Sequence, residues 1–172
     1  MPDIKIKRQK LTTPVEEAYK LLRTNLFFCG RDKKVIAVTS STMNEGKSMV
    51  SMNLALSLGE AGKKVILIDA DLRNSTMTGK IRCTGEKYGL AYYLSDMVTF
   101  DQVICSTDYE NLDIIMTGRF PPNPAELLSG KTFRNMLDQL RHIYDYVIID
   151  TPPVNIVTDA CVIAEKITGY IC

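Results

Sequence analysis

The stretch Ser40-Ser41-Thr42-Met43-Asn44-Glu45-Gly46-Lys47-Ser48 constrains this chain most, because of what stands on either side of it. Before it runs the β-branched segment Val35-Ile36-Ala37-Val38-Thr39, and after it a helical pattern from Met49 to Leu58. Strand, tight loop and helix form the setting in which loop N–H groups and a helix N-terminus converge on phosphate oxygens. Gly46, Lys47 and Ser48 satisfy the end of the pattern G-x-x-x-x-G-K-[ST], while Ser41 stands where its first glycine belongs. The chemistry is still legible. Thr42, Met43, Asn44, Glu45, Gly46, Lys47, Ser48 and Met49 are the candidate nucleotide cradle, Lys47 brings positive charge to the β- and γ-phosphates, and the Ser48 hydroxyl is a candidate Mg²⁺ ligand.

The helix after the loop is expected to run from Lys47 to about Glu60 and to end at Gly62, ahead of Val65-Ile66-Leu67-Ile68-Asp69. That run is apolar on both faces, as in a central strand of a parallel sheet. Leu112 to Met116 and Tyr146 to Asp150 read as further strands. Helical patterns lie at Leu90 to Leu94, Pro124 to Leu128 and Thr132 to about His142. The expected architecture is an α/β three-layer sandwich with a mostly parallel central sheet, one domain over residues 1–172, its ligand at the carboxyl ends of the strands. Tyr170-Ile171-Cys172 starts a strand and stops, so the expectation is a domain truncated at its C-terminal end. Residues 1–12, with Lys5, Lys7, Arg8 and Lys10, read as an extended, solvated arm. A helix follows with Thr13 as N-cap, Pro14 at its first position and Glu16 completing a capping box. Its apolar positions Val15, Ala18, Leu22 and Leu26, with Leu21 beside them, recur at helical spacing, and Glu17, Lys20 and Arg23 step along another face.

A net charge of +1 with interspersed signs gives no footing for nucleic acid or a membrane surface as main partner. The five cysteines (Cys29, Cys83, Cys105, Cys161, Cys172) show no C-x-x-C pair and no metal-ligand rhythm, and read as reduced, mostly core thiols of a cytosolic protein. No run reaches the ~18 apolar residues of a membrane span, so membrane association would need a partner. His142, the only histidine, ends an amphipathic helix and has a structural reading.

Two acidic sites fall where a parallel sheet places ligands. Asp69-Ala70-Asp71 ends one strand, and residues at i and i+2 of an extended segment share a face, so both carboxylates are expected to look into one pocket. Asp150 closes Tyr146-Val147-Ile148-Ile149, an apolar run ending in Asp whose carboxylate serves Mg²⁺. A lone Asp at a strand end reads first as a helix cap; three with a phosphate loop supply what phosphoryl transfer needs. Arg73 reads either as a phosphate contact or as a partner of Asp71.

At this point the chain resembles a family. Val65-Ile66-Leu67-Ile68-Asp69-Ala70-Asp71-Leu72-Arg73, Pro121-Pro122-Asn123-Pro124-Ala125-Glu126-Leu127-Leu128 and Tyr144-Asp145-Tyr146-Val147-Ile148-Ile149-Asp150-Thr151-Pro152-Pro153-Val154 are similar to the Walker A′, connecting and Walker B segments of bacterial tyrosine kinases of capsular and exopolysaccharide biosynthesis. The resemblance implies a SIMIBI-like P-loop NTPase fold and an autophosphorylating, ATP- and Mg²⁺-dependent protein-tyrosine kinase. In it Lys47, Asp69, Asp71 and Asp150 are catalytic, Ser48, Asp71 and Asp150 serve the metal, and Asp69 is the base toward a tyrosine hydroxyl. It also implies activation by the cytoplasmic tail of a membrane adaptor, a cytoplasmic location at the membrane through that partner, protein tyrosine substrates, and a ring formed through Glu17, Lys20 and Arg23, with Lys20 a departure from the E-x-x-R-x-x-R pattern. Met43-Asn44 replaces the family's usual Pro-Gly. Two other readings stand beside the kinase. One is a partitioning-type ATPase switch, whose signature lysine is replaced here by Thr42; the other is a nucleotide-binding regulatory subunit without catalysis.

Overall fold

The computed structural model describes residues 4–7, 10–30, 33–83, 88–153 and 169–171. Along the chain, β1 (Ile4–Ile6) precedes α1 (Thr13–Phe28), β2 (Val35–Val38), α2 (Lys47–Glu60) and β3 (Val65–Asp69). Then come β4 (Ile81–Cys83), α3 (Leu90–Leu94), β5 (Ile104–Ser106) and β6 (Leu112–Ile115). The described part closes with α4 (Pro124–Ser129), α5 (Lys131–Ile143), β7 (Tyr146–Asp150) and β8 (Gly169–Ile171).

The main sheet has the order β5-β6-β3-β7-β2-β8, parallel throughout except for the antiparallel edge strand β5. Its strands are apolar on both faces because helices cover both. Val35, Ala37, Ile66, Ile68, Val147 and Ile149 face one layer, where Leu90, Leu94, Phe133, Met136, Leu137 and Leu140 of α3 and α5 pack. The alternate residues Ile36, Val38, Val65, Leu67 and Ile148 face Met52, Ala55 and Leu58 of α2. This is the three-layer sandwich that the β-branched runs anticipated. α2 is buried nearly all round, because the sheet covers one side and α1 leans on another.

Four expectations are corrected by packing. Residues 4–6 are no solvated arm: Ile4 and Ile6 are buried, and β1 pairs antiparallel with β4 to cover the α1–α2 side of the core. The N-cap of α1 is Thr12, and no side-chain cap bond forms, so the capping box at Thr13 and Glu16 does not exist. None of the apolar positions of α1 is fully buried. Val15 and Leu21 are exposed, while Tyr19, Leu22 and Leu26 rest on the core, since this outer helix touches the body along one narrow stripe. Of the thiols, Cys105 is in the core but Cys29 and Cys83 are exposed; Cys161 and Cys172 lie outside the described residues.

Candidate active site

The loop after β2 owes its shape to two residues of positive φ, Asn44 at 63° and Gly46 at 87°. Asn is among the few non-glycine residues that accept this conformation, so it replaces glycine without opening the turn. Gly46 is the N-cap of α2, and the first donors inside that helix are Met49 and Val50, both to the Gly46 carbonyl. The N–H groups of Lys47 and Ser48 therefore project beyond the helix start, at the positive end of its dipole. Glu45 turns back on the loop and accepts from Thr42 Oγ1 (2.8 Å), Ser41 N (3.0 Å) and Thr42 N (3.2 Å). The Thr42 hydroxyl is the main reason its carboxyl sits below its usual pKa.

Beside the loop lies a cavity of about 240 Å³. Met43, Asn44, Gly46, Lys47, Ser48 and Met49 line it on one side, and Asp71, Asn74, Thr76 and Pro153 on the other. Six of the eight cradle residues expected from sequence thus meet the cavity; Thr42 and Glu45 brace the loop behind it.

Strand register delivers the carboxylates. Asp150 is the pairing partner of Asp69 on one side and of Val38 on the other, so the ends of β3, β7 and β2 meet beneath the loop. Asp69, Asp71 and Asp150 are all buried. Lys47 Nζ lies 3.2 Å from Asp150 Oδ1 and 3.6 Å from Asp71 Oδ2, and Ser51 Oγ donates to Asp150 Oδ1 at 3.2 Å. Burial raises the pKa of Asp150, against the pull of Lys47. Burial also pushes Asp69 up to about 7, opposed by the Ser75 hydroxyl and reinforced by the charge of Asp150.

Asp150 Oδ2 is buried and has no hydrogen-bond partner. An orphaned carboxylate oxygen is costly unless a cation or a bound water meets it, and this one belongs to the group expected to serve Mg²⁺. Among the described residues no three Asp, Glu, His or Cys side chains converge tightly enough to hold a metal alone. Mg²⁺ keeps waters and binds through one or two protein oxygens plus substrate phosphates, a donor type that Ser48, Asp71 and Asp150 can supply.

Asp69 and Asp71 do not share one pocket as expected. Asp71 lines the cavity, whereas Asp69 is fully buried at the strand end and is not part of the lining, because the chain turns there, with Asp71 N donating to Asp69 Oδ1 at 3.3 Å. Sequence reasoning missed Ser51, Ser75, Thr76 and Thr117. Ser75 Oγ donates to Asp69 Oδ2, Thr76 Oγ1 to Ser48 Oγ at 3.0 Å, and Thr117 Oγ1 to the Asp69 carbonyl at 3.0 Å. Ser51 read only as a small polar residue of helix α2, and the others carried no more signal than a polar turn or a strand end. His142 is exposed in the last turn of α5, away from this chemistry. On α1, Lys20 and Glu17 form an exposed pair at 2.7 Å, but Arg23 is half-buried and donates to the Ser57 carbonyl of α2 at 2.7 Å. The three residues therefore do not make one exposed face.

A parallel sheet, a glycine-turned loop at a helix start and strand-end carboxylates around its lysine define a P-loop nucleotide-binding protein. Residues 33–167 match the family described as AAA domain. Tyrosine-protein kinase CpsD of Streptococcus agalactiae serotype III (strain NEM316) is 44% identical over 169 residues, covering 98% of this chain and 72% of that protein. The crystal structure of the chimerical protein CapA2B2 superposes with a TM-score of 0.85 at 32% identity, over 96% of this chain and 76% of that one. The septum site-determining protein MinD of Pyrococcus horikoshii, solved with Mg-ADP, shares the fold at a TM-score of 0.65 and 22% identity, over 80% and 56% of the two chains. The chain belongs to the bacterial tyrosine-kinase family of capsule and exopolysaccharide biosynthesis. Among the described residues, no helix is long and apolar enough to cross a membrane.

Proposed function

We propose that this protein-tyrosine kinase, which acts in capsule or exopolysaccharide synthesis, transfers the γ-phosphate of ATP to tyrosine at the cavity beside Lys47, with Asp69 as the base. The observation that carries this reading is the orphaned Asp150 Oδ2 beside a lysine shared between two buried carboxylates. A buried carboxylate oxygen without a partner, next to a buried lysine, supports a site that takes cation and phosphate from outside the polypeptide. When bound, Mg²⁺ would neutralise phosphate charge, and Ser48, Asp71 and Asp150 are the residues that would hold it.

The chain's own groups do the rest. N–H groups of the loop and the first turn of α2 take the phosphate oxygens. Lys47, held in place by Asp150 and Asp71, turns its ammonium to the β- and γ-phosphates. Asp69, with its pKa near 7, accepts the tyrosyl O–H proton as the tyrosyl oxygen bonds to the γ-phosphorus and the bridging bond breaks to leave ADP. The partners that go with this reading are the cytoplasmic tail of a membrane adaptor as activator, further copies of the chain as a ring, and protein tyrosines as acceptors. Glu17 and Lys20 on the exposed side of α1 are available for self-assembly, whereas Arg23 reaches it only by releasing Ser57.

Incubation with Mg-ATP followed by phosphotyrosine detection, with and without the adaptor tail, tests the proposal. Wild type should be labelled, and Lys47→Met should lose at least about 10²-fold in rate. Phosphate release without phosphotyrosine would replace the kinase by an ATPase switch, and nucleotide binding without turnover by a regulatory subunit.

A further inference from the structure

We propose that Ser75 and Thr76 are positioning residues of the transfer site, Ser75 setting the Asp69 carboxyl and Thr76 setting the Ser48 hydroxyl; this rests on Asp69 as base and Ser48 as cation ligand. The chain leaving β3 crosses the carboxyl edge of the sheet between two buried anchors. Leu72 is packed in the core on the α3–α5 side, and Met77 in the core on the α1–α2 side. Between them Asp71 Oδ1 accepts from Asn74 N (3.0 Å) and Arg73 N (3.4 Å), a turn that sets the direction of the crossing. Asn74 and Thr76 look into the cavity, and β4, which follows, is paired with β1. Ile4, Ile6 and Ile81 of these strands share the core with Met77, so the crossing is tied down on that side as well.

Each hydroxyl then has one task. The Asp69 carboxyl has an N–H of Asp71 on Oδ1 and the Ser75 hydroxyl on Oδ2, so its rotation is blocked and the oxygen that takes the proton is held still. Ser48 Oγ carries one proton and two lone pairs. The proton of Thr76 occupies one lone pair at 3.0 Å, and the other, met by Lys47 Nζ at the long distance of 3.5 Å, is the one a cation would take as that lysine turns to phosphate. Groups that orient a metal ligand typically contribute about 10- to 100-fold in affinity or activity, and misplacement of a reacting group by about 1 Å costs on the order of 10²-fold in rate.

The test uses the whole chain, with ADP and Mg²⁺ as probes in calorimetry and phosphotyrosine formation as the rate. Thr76→Val keeps the volume and removes the donor. It should lose about tenfold of the tightening that Mg²⁺ confers on ADP, leave Mg²⁺-free ADP binding unchanged, and be rescued by Thr76→Ser. Ser75→Ala should lower kcat about tenfold at unchanged KM for ATP and unchanged Mg-ADP affinity, with Ser75→Thr restoring it. Should Ser75→Ala fail to fold, Ser75→Cys, a weak donor of similar size, carries the same expectation. Wild-type kcat in Ser75→Ala or Ser75→Cys, unchanged Mg²⁺ tightening in Thr76→Val, or equal weakening with and without Mg²⁺ would overturn the assignment. A wild type that forms no phosphotyrosine overturns instead the reaction on which it rests.

Discussion

Replacing Asp69 by asparagine turns the buried group at the end of β3 from ionisable to permanently neutral while keeping its shape and one acceptor oxygen, which can meet Ser75 or the Asp71 N–H but not both, a cost that does not vary with pH. Its folded pKa of about 7, against an ordinary 3.8, means that between those values the folded chain holds a proton the unfolded chain has released. Stability therefore falls as pH rises through that window, because the unfolded state binds fewer protons there. At about 1.4 kcal/mol per unit, the full penalty above about pH 7 is on the order of 4 kcal/mol, and by about pH 5 some 1 to 2 kcal/mol of it is already present. Wild type should thus lose roughly 2 to 3 kcal/mol relative to Asp69→Asn between about pH 5 and about pH 8. At about 2 to 4 °C per kcal/mol for a domain of this size, the gap in Tm should widen by roughly 5 to 10 °C in favour of the variant. Other titrating groups are common to both proteins and cancel in the difference, save Asp150, whose charge couples to that of Asp69. Circular dichroism melts of the pair across this pH range decide the matter, and a Tm gap that stays constant would refute a buried, proton-holding Asp69. The catalytic counterpart is an acid limb near 7 in wild-type kcat/KM, since only the ionised carboxylate can take the tyrosine proton.

Two further outcomes test the frame around the site. A Cβ at Gly89 would sit 2.3 Å from Gly118 N and 2.6 Å from the Met116 carbonyl, all main chain, so Gly89→Ala should cost at least about 2 kcal/mol in chemical denaturation as α3 is forced off the end of β6. Ile4→Ala, in a fully buried position of the short strand β1, should cost about 2 kcal/mol, the low end for such a truncation because a three-residue strand can undock instead; an unchanged midpoint would show that β1 contributes nothing to the core.

What the sequence determined by itself was everything carried by local pattern. Runs apolar on both faces, such as Val65 to Ile68 and Tyr146 to Ile149, can satisfy both faces only inside a helix-covered parallel sheet, and that sheet is found. The phosphate loop was legible because its chemistry is mostly backbone: a residue tolerant of positive φ at Asn44, a glycine at 46, and a helix start at Lys47. The acidic strand ends were legible because a strand end in such a sheet is where ligands bind.

Contacts between distant segments left no such trace. Short strands β1, β4 and β5 have too few residues for a period of two to show, and they exist because neighbours pair with them. Helix α1 carried an apolar stripe through Val15, Ala18, Leu22 and Leu26, and only docking on α2 decided that Val15 stays exposed while Leu22 and Leu26 meet the core and that Arg23 faces Ser57. The division between Asp69 and Asp71 belongs to tertiary structure too. Both are aspartates two residues apart, and one became a proton-holding group near pH 7 because the fold removed it from water and placed the charge of Asp150 beside it, against the opposing pull of the Ser75 hydroxyl. Identity and spacing are local properties of a chain, whereas desolvation and the charges that act across it are summed over everything the fold brings within a few ångströms.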